Sequence, residues 1–159
     1  MDDLRDLQRK RREVQGYLEL GLPEMAEEIL DGVAPQRWGH PLVLDGRLAL
    51  QMDRQDWEAA AATGLKGCAC DHAELSFFIH TAFCLHELGR TESALALLES
   101  GPTALRGEPL FHYNVGCYLA QLGREGEAVP RLREAFRLDE SLREFAKADR
   151  DLEAIWPLL

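Results

Sequence analysis

Small and apolar positions recur along this chain at one fixed interval. Ala26, Ala60, Ala94 and Ala128 stand 34 residues apart. Four positions after each comes Leu30, Gly64, Leu98 and Leu132. A spacing of four keeps both columns on one helix face. Five positions before each alanine stands Gly21, Gln55, Gly89 or Gly123. A period of this length without insertions predicts stacked helix pairs rather than one irregular globule. The units fit as residues 7–40, 41–74, 75–108 and 109–142, with a closing segment over 143–159. Together they form one domain over 1–159. The predicted fold is all-α, an α-solenoid of four antiparallel helix pairs with a C-terminal capping helix.

Each column has a physical reason. Glycine just past an apolar helix end takes positive φ cheaply and stops the helix, as in Leu20-Gly21, Leu88-Gly89 and Leu122-Gly123. In the second unit Gln55 replaces it, and Asp56 is the expected N-cap of the helix that follows. The alanines mark where two helices of a pair come closest and a large side chain would force them apart. Gly64 underfills its column, and Gln51 and Arg54 stand where other units have leucines. The second unit is therefore expected to be the least regular. Asp31-Gly32-Val33-Ala34-Pro35 and Ser100-Gly101-Pro102 should end the second helices of units one and three early, leaving loops near 34–40 and 101–108. Pro130 implies a last repeat helix that starts near Gly126 or bends.

These columns resemble the tetratricopeptide repeat. The fourth unit carries the pattern best, through Tyr113-Asn114-Val115-Gly116, Leu119, Leu122-Gly123, Ala128, Ala135 and Leu138-Asp139. The third keeps Ala82, Leu85, Leu88-Gly89, Ala94 and Leu98, and the first Tyr17, Leu20-Gly21, Ala26 and Val33. The second is weakest, with Leu48, Trp57 and Ala60. The resemblance implies a right-handed superhelix with a concave face lined by the first helix of each pair. It also implies an end cap after the last repeat, as in small bacterial members. Phe145, Leu152, Ile155 and Trp156 are its expected covering residues.

On that concave face the resemblance places Ile79, His80, Phe83, His86 and Glu87, then Tyr113, Asn114, Cys117 and Gln121. Apolar anchors among polar groups suit a peptide or short helix of a partner protein. Ile79, Phe83 and Tyr113 would anchor; His80, His86 and Asn114 would select. A clamp for a C-terminal carboxylate is not expected. Ser76, Ile79, His80, Leu110 and Tyr113 stand where its cations would be needed.

Composition narrows the class. The chain has 46% hydrophobic and 29% charged residues and a net charge of −10. An acidic body argues against nucleic-acid binding, which needs phosphate neutralisation. Residues 1–12 alone are basic, with five bases against three acids, and read as a solvated helix face. No apolar stretch reaches a membrane span, and Met1-Asp2-Asp3-Leu4-Arg5 lacks the apolar core of a signal peptide. A cytoplasmic setting is expected, with Cys68, Cys70, Cys84 and Cys117 as thiols.

Catalytic chemistry has no foothold. Cys68-Ala-Cys70-Asp-His72 holds zinc-type ligands, but at a spacing that matches no four-ligand pattern. Small side chains in tight helix contacts explain the cysteines better. Asp149 and Asp151 read as helix-capping and surface acids. The expectation is a non-enzymatic interaction module without cofactor or metal, of adaptor or chaperone kind. Two other readings are self-assembly into a weak homo-oligomer and a secretion chaperone, since small acidic tetratricopeptide proteins of that class are similar in length and charge.

Overall fold

A computed structural model describes residues 3–159. Met1 and Asp2, part of the stretch read above for a leader, lie outside the described residues. Among the described residues there are nine α-helices and no strand. They are α1 (Leu4–Glu19), α2 (Pro23–Asp31), α3 (Pro41–Asp53), α4 (Trp57–Cys68), α5 (Leu75–Glu87), α6 (Thr91–Glu99), α7 (Pro109–Gln121), α8 (Glu125–Leu138) and α9 (Ser141–Lys147). None of the described helices is long and apolar enough to cross a membrane. The chain divides into two compact units, one ending at Phe77 and one spanning Phe78–Leu159.

The turn columns behave as their chemistry dictates. Gly21, Gly89 and Gly123 take φ of 70°, 75° and 73°. Gln55 takes the same left-handed turn at φ 56°, a conformation a side chain disfavours by about 1–2 kcal/mol. Asp56 caps α4 by accepting from the Ala59 N–H at 3.3 Å. All four column alanines are fully buried. Leu30, Leu98 and Leu132 are buried beside them.

In the first unit, α1 begins under an Asp3 cap that accepts from the Asp6 N–H at 2.8 Å. Leu7, Val14, Ala26, Leu30, Val33, Val43 and Leu50 form its core. The basic stretch of α1 is laced into pairs. Arg9 meets Asp6 and Glu13, Lys10 meets Asp6, and Arg11 reaches Asp45 on α3 at 2.6 Å. Arg54, standing in a leucine column, grips Glu27 on α2 through both nitrogens at 2.9 and 2.7 Å. Such exposed pairs are screened by water and contribute little to stability. The helices of the second pair are full length, so its expected irregularity is limited, among the described residues, to positive φ at Gln55 and at His72 in the following loop.

In the second unit α7 is the most enclosed element, packed on α8 and facing α6. As expected, α2 and α6 are short, nine residues each against twelve in α4 and fourteen in α8. The segments that follow are not bare loops: each holds a 3-10 turn, at Pro35–Arg37 and Thr103–Gly107. α8 begins at Glu125, so Pro130 falls in its second turn. The missing N–H would have served the carbonyl of Gly126, which is exposed to water.

Candidate functional site

Tyr113, Cys117 and Gln121 lie four residues apart and form one stripe along α7. Helix geometry thus aims three hydrogen-bonding groups along a single line. A tail that follows α9 runs across that line. Its 3-10 turns are Arg150–Leu152 and Trp156–Leu158. Leu152 and Ile155 anchor it, 0% and 1% exposed. Asp149 is half-buried and caps the first turn by accepting from the Asp151 N–H at 3.0 Å.

The polar contacts then fall in register. The Tyr113 hydroxyl donates to Asp149 Oδ2 at 2.6 Å. The Cys117 thiol donates to the same oxygen at 3.8 Å. Gln121 Nε2 donates to the main-chain carbonyl of Asp151 at 2.9 Å. From α5, His86 Nε2 meets Asp151 Oδ2 at 2.8 Å, and His86 Nδ1 meets the Thr91 hydroxyl at 2.9 Å. His86 thereby bridges the tail carboxylate and the first residue of α6 through its two ring nitrogens. Behind this pair the Tyr118 ring lies 4.9 Å from the His86 ring, and the Tyr118 hydroxyl is buried without a hydrogen-bond partner.

Burial raises the Tyr113 phenol far above its ordinary value, and the Asp149 contact adds to the effect. The hydroxyl therefore stays protonated and remains a donor. Burial also holds Cys117 protonated, reinforced by the negative charges of Asp149 and Asp151. Burial pushes Cys84 up to about 11. At pH 8 such a thiol is ionised in roughly one molecule in a thousand. Half-buried Cys68 and Cys70 should therefore react with a disulfide probe such as DTNB well before Cys84 and Cys117. Peptide mapping after timed labelling checks this order, and early modification of Cys84 would contradict it. Because the raised value of Cys84 belongs to the folded state, its contribution to stability is complete below the ordinary thiol range. That contribution is lost as pH rises through about 11.

The expected groove residues thus separate. Tyr113, Cys117 and His86 are brought together, beneath the tail rather than open to solvent. Ile79 is 8% exposed, Asn114 is half-buried, His80 is exposed, and Phe83 is 36% exposed. Gln121 touches the tail and Glu87 is exposed. Two expectations need correction. Asp149 and Asp151 are not simply surface acids, since each meets a side chain of the inner face. Phe145 does not cover the last repeat: it is 64% exposed and meets the Tyr113 ring edge-on at a centroid distance of 5.7 Å. Sequence reasoning missed the tail contacts and Thr91. The one available signal was two aspartates two apart in the cap, directly before its apolar residues.

Around Cys68, the Cys70 thiol donates to the Lys66 carbonyl at 3.4 Å. No group of three His, Cys, Asp or Glu side chains among the described residues is arranged to hold a metal.

Fold and site together define an all-α chain of helical-repeat class whose end segment packs on α7. No family model matches the chain, and no curated protein matches it. Among solved structures it is similar to a mutant of MamA, with a TM-score of 0.57 and 16% identity, over 87% of this chain and 100% of that one. A likeness at that identity bears on the fold, and it agrees with the helical repeat.

Proposed function

We propose that the chain is a non-enzymatic interaction module that receives a peptide or short helix of a partner protein on the face of α5 and α7 that carries His86, Tyr113, Cys117 and Gln121. The observation that carries this reading is the stripe of donors, Tyr113, Cys117 and Gln121, already engaged with the capped turn of the tail. A packing surface needs only apolar cover, whereas donors aligned at helical spacing suit main-chain and side-chain acceptors of a peptide. Protonated, buried thiols at Cys84 and Cys117 fit a cytoplasmic setting.

The test is affinity capture from native lysate with the unaltered chain and with Tyr113→Phe/Gln121→Ala. Removing two donors should weaken retention of a specific partner by about tenfold or more. The variant should still melt cooperatively by circular dichroism. Equal retention by both chains would remove this face from the reading.

A further inference from the structure

We propose that the stretch Asp149–Leu152 is a built-in competitor for this face, displaced by a partner segment of the same chemistry: two carboxylates two residues apart, running into an apolar residue. This rests on the reading of α5 and α7 as a binding face.

Two observations carry it. First, the tail is held by recognition contacts as well as by cover. Leu152 and Ile155 already supply the apolar cover a last repeat needs. Tyr113, Cys117, Gln121 and His86 additionally read two carboxylates and one main-chain carbonyl. Their donors select acceptors, and the stronger bonds that a carboxylate accepts favour an acidic segment as occupant. Second, the tail has little structure of its own. α9 has seven residues, and the 3-10 turns beyond it rest on i to i+3 bonds such as Leu152 N–H to the Asp149 carbonyl. Arg150, Glu153 and Ala154 are exposed, so the tail is held through Asp149, Asp151, Leu152 and Ile155 rather than along its whole length.

Bulk charge does not make this selection. The chain carries −10, so an acidic segment is repelled at long range and bound only by contacts at the face. Affinity should hold or rise as salt is added.

The probe is a fluorescent, blocked peptide of sequence Ala-Asp-Ala-Asp-Leu-Glu-Ala-Ile, which copies residues 148–155 with alanine for Arg150. Its anisotropy is measured against the full chain and against full-length Asp149→Asn/Asp151→Asn. A docked tail reduces apparent affinity by the fraction of open face. The variant should therefore bind about tenfold tighter than the unaltered chain, and a peptide with asparagine at both acidic positions should bind neither. In the unaltered chain, saturating peptide should speed trypsin cleavage after Arg150 by about tenfold, a readout that stands even if the variant fails to fold. Equal peptide affinity for both chains, with no change in cleavage, overturns the competition while leaving the binding face intact. Absence of binding to a folded variant whose Cys117 has become reactive overturns the acidic chemistry. Concentration-dependent dimers of the variant that the peptide does not dissociate would make a second copy's tail the occupant, and overturn the proposal as well.

Discussion

Gly67→Ala is expected to destabilise the first unit by about 3 kcal/mol, the upper range for overpacking a filled core. A Cβ at this position would lie 2.2, 2.3 and 2.7 Å from three ring carbons of Phe77. Phe77 is 1% exposed, so its ring has no open space into which to rotate. The gain in helix propensity from glycine to alanine, about 1 kcal/mol, is too small to offset the clash. Gly116 presents the same kind of clash. Its Cβ would meet Cγ and Cδ2 of Leu132 at 2.5 and 2.8 Å, and Leu132 is fully buried as well. Gly16 supplies the opposite sign within the same series. It lies inside α1, where an added methyl would meet nothing within 4 Å, so Gly16→Ala should stabilise by about 0.5–1 kcal/mol. Urea denaturation of the three variants checks the order. A Gly67→Ala protein within about 0.5 kcal/mol of the parent would mean that α4 and the Phe77 ring are not in close contact.

The repeat was legible because helix packing imposes a period. Wherever two helices of a pair cross closely, an alanine is needed, and the need recurs with the pair. Ala26 through Ala128 are all fully buried for that reason. The turn glycines were legible because positive φ is a local demand, and Gln55 meets the same demand against its own preference. The close approach at Gly67 was not legible. Gly67 stands in no column and is marked only by its contact with Phe77, whereas Gly64 three positions earlier is the one that stands in a column. The candidate face was half legible. Tyr113, Cys117 and Gln121 follow from helical spacing along α7, but their partners do not. Asp149 lies 36 residues beyond Tyr113, and Asp151 lies 65 beyond His86. No periodicity links positions in a repeat to positions in a tail. An aspartate that caps a short turn reads the same whether its free oxygen meets water or a tyrosine hydroxyl.

Leu152→Ala is expected to release the tail without unfolding the helices beneath it. Leu152 is fully buried, and removing a leucine side chain from such a position costs about 2–5 kcal/mol. The cost falls on a segment whose other anchors are Ile155 and a few polar contacts, so local opening should absorb it before the α7–α8 packing does. Cys117 reports the event. Its thiol lies against Asp149 and is 4% exposed, whereas Cys84 on α5 is fully buried. A loss of about 2 kcal/mol in docking raises the open population about thirtyfold, so labelling of Cys117 should speed by about that factor or more. Cys84 should keep its slow rate, because its protection comes from burial within the helices. If both thiols accelerate together, the second unit opens as a whole, and the tail is an integral part of the core rather than a displaceable occupant. If Cys117 alone accelerates, the face beneath the tail persists when the tail leaves it, and that is the physical condition for any other segment to bind there.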